Sequence, residues 1–221
     1  MRIFPSFLYR FSRVNFYLHR KKGIDMGNNG NNPKQGSQIA VEPIKQVKDL
    51  KAIKQLLRSK PRDYALFVLG INTNLRASDL LSLTVGQVEG LQPMDELVIQ
   101  EQKTGKQRRI NVNKAAVDAI NGLLAAMPEV DAEALLFQGQ RGPLTVSYVN
   151  RLVKSWCKAL NLKGNYGSHS LRKTWGYHQR VTFGKGLPEL MVCFNHSSQR
   201  QTLDYLCIQA EEIKSVYANE L

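Results

Sequence analysis

Long apolar runs are missing from this 221-residue chain. No stretch approaches the roughly 20 residues that a membrane-spanning helix needs. Cysteine is scarce as well. Three cysteines with no CxxC pair exclude a disulfide scaffold and a classical zinc cluster, and the odd count suits a reducing compartment. Acidic residues are outnumbered: 18 Asp and Glu stand against 31 Lys and Arg, for a net charge of +13. A surplus that large calls for a polyanionic partner or an anionic membrane surface. Nor is the chain polar enough for wholesale disorder, since 43% hydrophobic and 22% charged residues are ordinary globular values. Its length suits one domain, or one domain with a tail.

Residues 1–23 carry arginines among aromatics, without the uncharged core or small-residue cleavage site of a secretory signal. They faintly resemble an organelle transit peptide, or an upstream extension with the natural start at Met26. Residues 27–38, rich in Gly and Asn, read as a flexible linker. Residues 1–40 are therefore expected to be a disordered basic tail and linker, and 41–221 the folded domain. Seven basic residues and one acid give the tail +6, which leaves +7 on the rest. The folded part is basic on its own.

Periodicity predicts a mainly α fold with a small antiparallel β-sheet, class α+β. Ile44, Val47, Leu50, Ile53 and Leu57 recur at steps of three or four beside Pro43, marking an amphipathic helix. Pro61 opens a helix whose 64–71 stretch reads as buried all round. Residues 97–113 differ: two strand-like segments flank Lys103-Thr104-Gly105-Lys106, a hairpin turning around Thr104-Gly105. Helices are expected again over 114–126, 145–160, 169–182, 187–195, 199–207 and 210–218.

Several residues are equipped for chemistry. Ser168 is a good N-cap, so His169 and Arg172 fall in the first turns of one helix, on one face. An imidazole and a guanidinium at a helix N-terminus suit a phosphate; two unrelated surface residues are the blander account. Ser198 and Gln201 spell an S-x-x-Q capping box, which ends one helix near Asn195 and starts another after Ser198. His196 lies in that joint, free to point into a cleft, and Tyr205 sits on the second helix. Taken singly, each is as compatible with a core position. Arg76, between apolar segments, needs an anionic partner. Asp79, three residues on, is the local choice; a ligand phosphate, with Asp79 holding the arginine in position, is the other.

Taken together, Arg76 within LRASDLLSL, Lys103 in the hairpin, His169-x-x-Arg172, His196-Ser-Ser and Tyr205 resemble the tyrosine recombinases, or phage integrases. The spacings agree: nine residues from His196 to Tyr205 and 36 from His169 to Tyr205. The resemblance spans residues 43–221, including 136–145, which look like that family's connector. Three neighbours depart from its pattern. Asn74 stands where glycine is usual, Phe194-Asn195 where Leu-Gly is usual, and Lys173 where histidine often follows the arginine. Asparagine tolerates left-handed backbone, which accommodates two of these exchanges. Most relatives also carry a preceding helical DNA-clamping domain. The 40 residues here are too few for it, so the chain is expected to be a catalytic domain alone, as in the fimbrial phase-switching invertases.

The resemblance implies a site-specific recombinase that cuts and rejoins double-stranded DNA through a 3′-phosphotyrosine, with no cofactor, metal or ATP. It implies catalytic roles for Arg76, Lys103, His169, Arg172, His196 and Tyr205, with Asp79 behind Arg76. Lys106, Arg108 and Lys173 are expected to contact DNA. The implied assembly is a homotetramer on paired sites, with a DNA-bending accessory protein, in a prokaryotic cytoplasm at the nucleoid. A type IB topoisomerase and a non-catalytic DNA-binding regulator are the alternatives. The lysines of the first helix, Lys45 to Lys54, with Arg58, make a basic strip that faces either DNA or plain solvent. Cys157, Cys193 and Cys207 are expected to be small core residues, and His178 carries no assigned role. Ala210, Ile213, Val216 and Tyr217 would form a tail-helix face, packed on a neighbouring protomer or folded back.

Overall fold

The chain is pinned before its first helix begins. Glu42 N–H donates to the Asn165 carbonyl (2.8 Å), and Ile44 N–H donates to Thr174 Oγ1 (2.8 Å). The Ile44 carbonyl faces His178 Nε2 at 3.0 Å, and Thr182 Oγ1 faces Nδ1 at 2.7 Å. His178 is thus a buried structural residue, with burial holding its pKa below the ordinary value. These contacts belong to a computed structural model that describes residues 40–208, 214, 217, 218 and 220. The expected tail and linker before Ala40, and most of the helix over 210–218, lie outside the described residues.

Helix α1 (Val47–Leu57) buries Ile53 and Leu57 and packs on α2 (Pro61–Gly70). Pro61 suits the first turn of α2 because its missing N–H would have had no helical partner. Everything from Ala65 to Gly70 is buried, as the unbroken apolar stretch predicts. Two short helices follow, α3 (Ala77–Leu81) and α4 (Val85–Val88), then strands β1 (Glu96–Gln100) and β2 (Gln107–Asn111). The strands pair antiparallel from Glu96 opposite Asn111 to Gln100 opposite Gln107. Leu97 and Ile99 of β1 face the core, and Gly105 at φ +66° closes the turn.

Helix α5 (Lys114–Leu124) covers α2. A miniature hairpin, β3 (Gln138–Gly139) with β4 (Gly142–Pro143), leads into α6 (Val146–Ala159). Three further helices, α7 (Ser168–Val181), α8 (Leu187–Phe194) and α9 (Gln199–Leu206), carry or flank His169, Arg172, His196 and Tyr205. The mainly helical class with a small antiparallel sheet is as expected, though the described residues form two such sheets.

Two glycines set the distances. A Cβ on Gly70 would come within 2.6 Å of Leu171, so only glycine lets α2 approach α7 this closely. A Cβ on Gly176 would lie 2.5 Å from Phe194 and 2.7 Å from Leu206. That contact holds α7 against a small second core of Tyr177, Leu190, Phe194, Leu206 and Ile208, on which Tyr205 packs.

Two local expectations are corrected. Ser168 is not the N-cap of α7 but its first residue. Asn150 on α6 accepts the Ser168 N–H (3.1 Å), and Gly167, in extended conformation, exchanges bonds with Ser170 instead. Of the cysteines only Cys157 is buried; Cys193 is exposed and Cys207 half-buried. The Cys157 environment pushes its thiol up to about 12, chiefly by desolvation.

Candidate active site

One cavity of about 380 Å³ is lined by Arg76, Lys103, His169, Arg172, His196 and Tyr205, with Thr104, Phe194, Asn195 and Gln201. All six residues to which the resemblance assigns catalytic roles therefore meet in one place, from five separate parts of the chain.

Arg76 caps the start of α3 in an extended conformation. Its Nη1 lies 2.8 Å from Glu101 Oε1 and 3.6 Å from Asp79 Oδ2. Neither approach is aligned as a hydrogen bond, so among the described residues this buried donor has no well-directed acceptor. Asp79, fully buried, also accepts the Gln102 N–H (2.9 Å), which ties α3 to the hairpin turn. The nearer partner of Arg76 is thus Glu101, which the sequence reading did not select. Glu101 also accepts from Thr104 Oγ1 (2.8 Å) and pairs with Arg108 (3.4 Å). Burial raises its pKa, but the Thr104 hydroxyl, Arg76 and Arg108 outweigh that and hold the carboxyl below its ordinary value. No spacing rule joins Glu101 to Arg76; only the hairpin fold does.

Arg172 is buried. Its Nε donates to Asn74 Oδ1 (3.0 Å), its Nη2 reaches the Phe194 carbonyl (3.5 Å), and the guanidinium lies over the Phe194 ring at 5.2 Å. Desolvation pushes its pKa down to about 10, so it stays charged at neutral pH. His169, one turn earlier on the open rim, is held below its ordinary pKa by desolvation, then by Arg172, Lys173, Arg76 and Lys103. A neutral imidazole there is free to accept a proton.

The joint between α8 and α9 is built as its asparagine suggested. Asn195 is left-handed (φ 57°), and so is Asn74 (φ 55°), the other position where a glycine was expected by resemblance. Ser198 accepts the Gln201 N–H (3.2 Å), but Gln201 Oε1 bonds Ser197, not Ser198, so the capping box is half made. His196 stacks on Phe194 (centroids 5.1 Å apart) and meets Tyr205 edge-on (5.2 Å). Its pKa is lowered by desolvation and by Arg172 and Arg76, which favours the neutral ring. Thr202 Oγ1 lies 3.1 Å from Nδ1, and the same hydroxyl donates to the Ser198 carbonyl at 3.4 Å, which ties the His196 ring to the first turn of α9.

The phenol of Tyr205 is raised above its ordinary pKa by burial, only partly countered by Arg172 and Arg76. It is therefore protonated at neutral pH. Lys103 stands exposed on the hairpin turn, and Lys106 is exposed beside it. The other two expected DNA contacts are placed differently. Arg108 is largely engaged by Glu101 and by the Cys193 carbonyl (3.1 Å). Lys173 is buried because it follows Arg172 on the inner face of α7. Its ammonium sits 4.9 Å above the Tyr205 ring and 3.7 Å from Cys207 Sγ. On α1, Lys51, Lys54 and Arg58 border a separate groove with Tyr64 and Asp118.

Among the described residues no helix is long and apolar enough to cross a membrane. The chain is similar to a probable integrase/recombinase, YoeC, of Bacillus subtilis strain 168: 35% identity over 182 residues, covering 80% of this chain and 95% of that one. It is 32% identical over 168 residues to the tyrosine recombinase XerC of Caldanaerobacter subterraneus subsp. tengcongensis, covering 72% of this chain and 45% of XerC. The chain thus spans nearly all of the first relative and about half of the second. Among solved structures, the XerH site-specific recombinase bound to palindromic difH substrate in a post-cleavage complex superposes with a TM-score of 0.61 at 20% identity, covering 78% of this chain and 51% of XerH. The phage integrase family model matches residues 44–212. With that match covering most of its length, the chain belongs to the phage integrase family, and its described residues have the fold of a tyrosine recombinase catalytic domain.

Proposed function

We propose that the protein is a site-specific DNA recombinase whose nucleophile is Tyr205. The observation that carries this reading is one cavity in which a half-buried tyrosine, two arginines, two histidines and an exposed lysine converge.

The phenolic oxygen attacks the scissile phosphorus in line. A bond forms between Tyr205 Oη and phosphorus, the bond to the 5′-oxygen breaks, and a 3′-phosphotyrosine conserves the bond energy for rejoining. His169 takes the phenolic proton. Lys103, on the hairpin turn, gives a proton to the leaving 5′-oxygen. Arg76 and Arg172 hold the non-bridging oxygens with planar donors, and a ring N–H of His196 adds a third. Preorganised donors of this kind are each worth roughly 10²–10³ in rate. Asp79 and Glu101 keep Arg76 and the hairpin in register. The step as written consumes no nucleotide cofactor. Exchange between two duplexes requires four such tyrosines, so a homotetramer on paired sites is the working assembly, with a DNA-bending protein to bring the sites together.

The relaxing-enzyme and non-catalytic alternatives are not favoured: the relatives are named as recombinases, and no member of the six-residue set is lost. The test is a pool of nicked duplexes of varied sequence, from which the cleaved strand diffuses away. The protein should become bound to DNA in a form that survives detergent. Tyr205→Phe should retain DNA binding and form no adduct; an adduct with that variant would reject the assignment.

A further inference from the structure

We infer that Asn74 is a positioning residue that sets the aim of Arg172 and couples it to the joint carrying His196. The inference rests on the phosphate-clamping role proposed above for Arg172.

Asn74 lies in the 71–76 loop between α2 and α3, two residues before Arg76, and only 2% of it is exposed. Both arms of its amide are used. Oδ1 accepts from Arg172 Nε at 3.0 Å, and Nδ2 donates to the Cys193 carbonyl at 2.8 Å. Each partner admits only one role, a guanidinium N–H as donor and a carbonyl as acceptor, so the amide orientation is forced. One side chain therefore joins α7, which carries Arg172, to the last turn of α8, from which Asn195 and His196 follow. The same Cys193 carbonyl also accepts from Arg108 of β2 (3.1 Å). With Nε held by Asn74 and Nη2 reaching the Phe194 carbonyl at 3.5 Å, the guanidinium plane is fixed about its long axis.

The backbone supplies a clean test. Asn74 is left-handed (φ 55°), where glycine is at no steric disadvantage. Asn74→Gly thus preserves the loop geometry and deletes only the two side-chain bonds. Two measurements follow. The first is the nitrogen-15 signal of the Arg172 Nε–H in DNA-free protein, which should be protected from exchange in the parent and lose that protection in Asn74→Gly. The second is single-turnover cleavage of a nicked duplex. Loss of a hydrogen bond to a charged group should slow cleavage about tenfold. DNA affinity, measured in the Tyr205→Phe background, should stay within about twofold, and the unfolding temperature should fall modestly, since two buried hydrogen bonds are lost.

An unchanged cleavage rate alongside a protected Nε–H overturns the inference. So does a rate loss that disappears when cleavage is measured well below both unfolding temperatures. Should the parent form no covalent adduct at all, the recombinase reading fails with it, and the exchange measurement alone decides whether Asn74 holds Arg172.

Discussion

Replacing Glu101 by glutamine separates the charge balance of the DNA-free protein from its chemistry. Glu101 Oε1 lies 2.8 Å from Arg76 and 3.4 Å from Arg108, and the three side chains are 9%, 19% and 16% exposed. At 2.8 Å and an effective dielectric constant near 20, the first contact is worth about 6 kcal/mol of Coulomb attraction before desolvation. Desolvation removes most of it. The site lies between surface pairs, worth about 0–1 kcal/mol, and buried pairs, whose breakage costs about 3–5 kcal/mol. Glu101→Gln keeps the shape and the Thr104 contact, so a loss of about 2 kcal/mol is expected. For a domain of this size that lowers the unfolding temperature by roughly 4–8 °C.

The sign with pH follows. The folded carboxyl is held below its ordinary value, so its contribution is complete above the unfolded value of about 4.3 and is lost as pH falls through the lower folded one. The gap between parent and variant should therefore be full at pH 7 and close on acidification. Bound DNA should narrow it too, since a phosphate in the cavity then supplies negative charge beside Arg76. Thermal unfolding across pH, with and without a non-cleavable duplex, measures all three. Equal unfolding temperatures at pH 7, or a gap that persists through the carboxylate range, would refute the charge-balance argument.

Three further outcomes are expected. Lys103→Ala should slow cleavage strongly and be rescued by a 5′-thiol leaving group, which needs no proton; rescue of Lys106→Ala instead would move the role to that lysine. Cleavage should be lost as pH falls through a histidine value below 6.5, where His169 becomes protonated, and His169→Asn should flatten that limb of the rate profile. Gly176→Ala should destabilise by about 1–3 kcal/mol through overpacking against Phe194 and Leu206, and should impair cleavage because the same core seats Tyr205; a variant of unchanged stability would mean that α8 and α9 give way easily.

Some of this was legible in the sequence because it is local. Period and breakers gave the long helices and the first hairpin, and the tolerance of asparagine for left-handed backbone anticipated Asn74 and Asn195. The six-residue set was legible because its order and spacing are one pattern. What escaped depends on partners distant in sequence. Ser168 loses its capping role because Asn150 satisfies its N–H from another helix. Lys173 turns inward because the helical step after Arg172 points to Tyr205 and Cys207. Glu101 meets Arg76 only once the hairpin folds over α3. The short helices α3 and α4 and the two-residue strands β3 and β4 are too brief to leave a periodic signal.

The central claim concerns one covalent bond, and the most direct measurement is to locate it. After reaction with the nicked duplex pool, the protein is digested and the DNA-linked peptide is sequenced by mass spectrometry. The account predicts a single linkage, on Tyr205, through a 3′-phosphate, with a free 5′-hydroxyl on the released strand. A linkage on Tyr177 or Tyr217, or a phosphate left on the 5′ side, would contradict it.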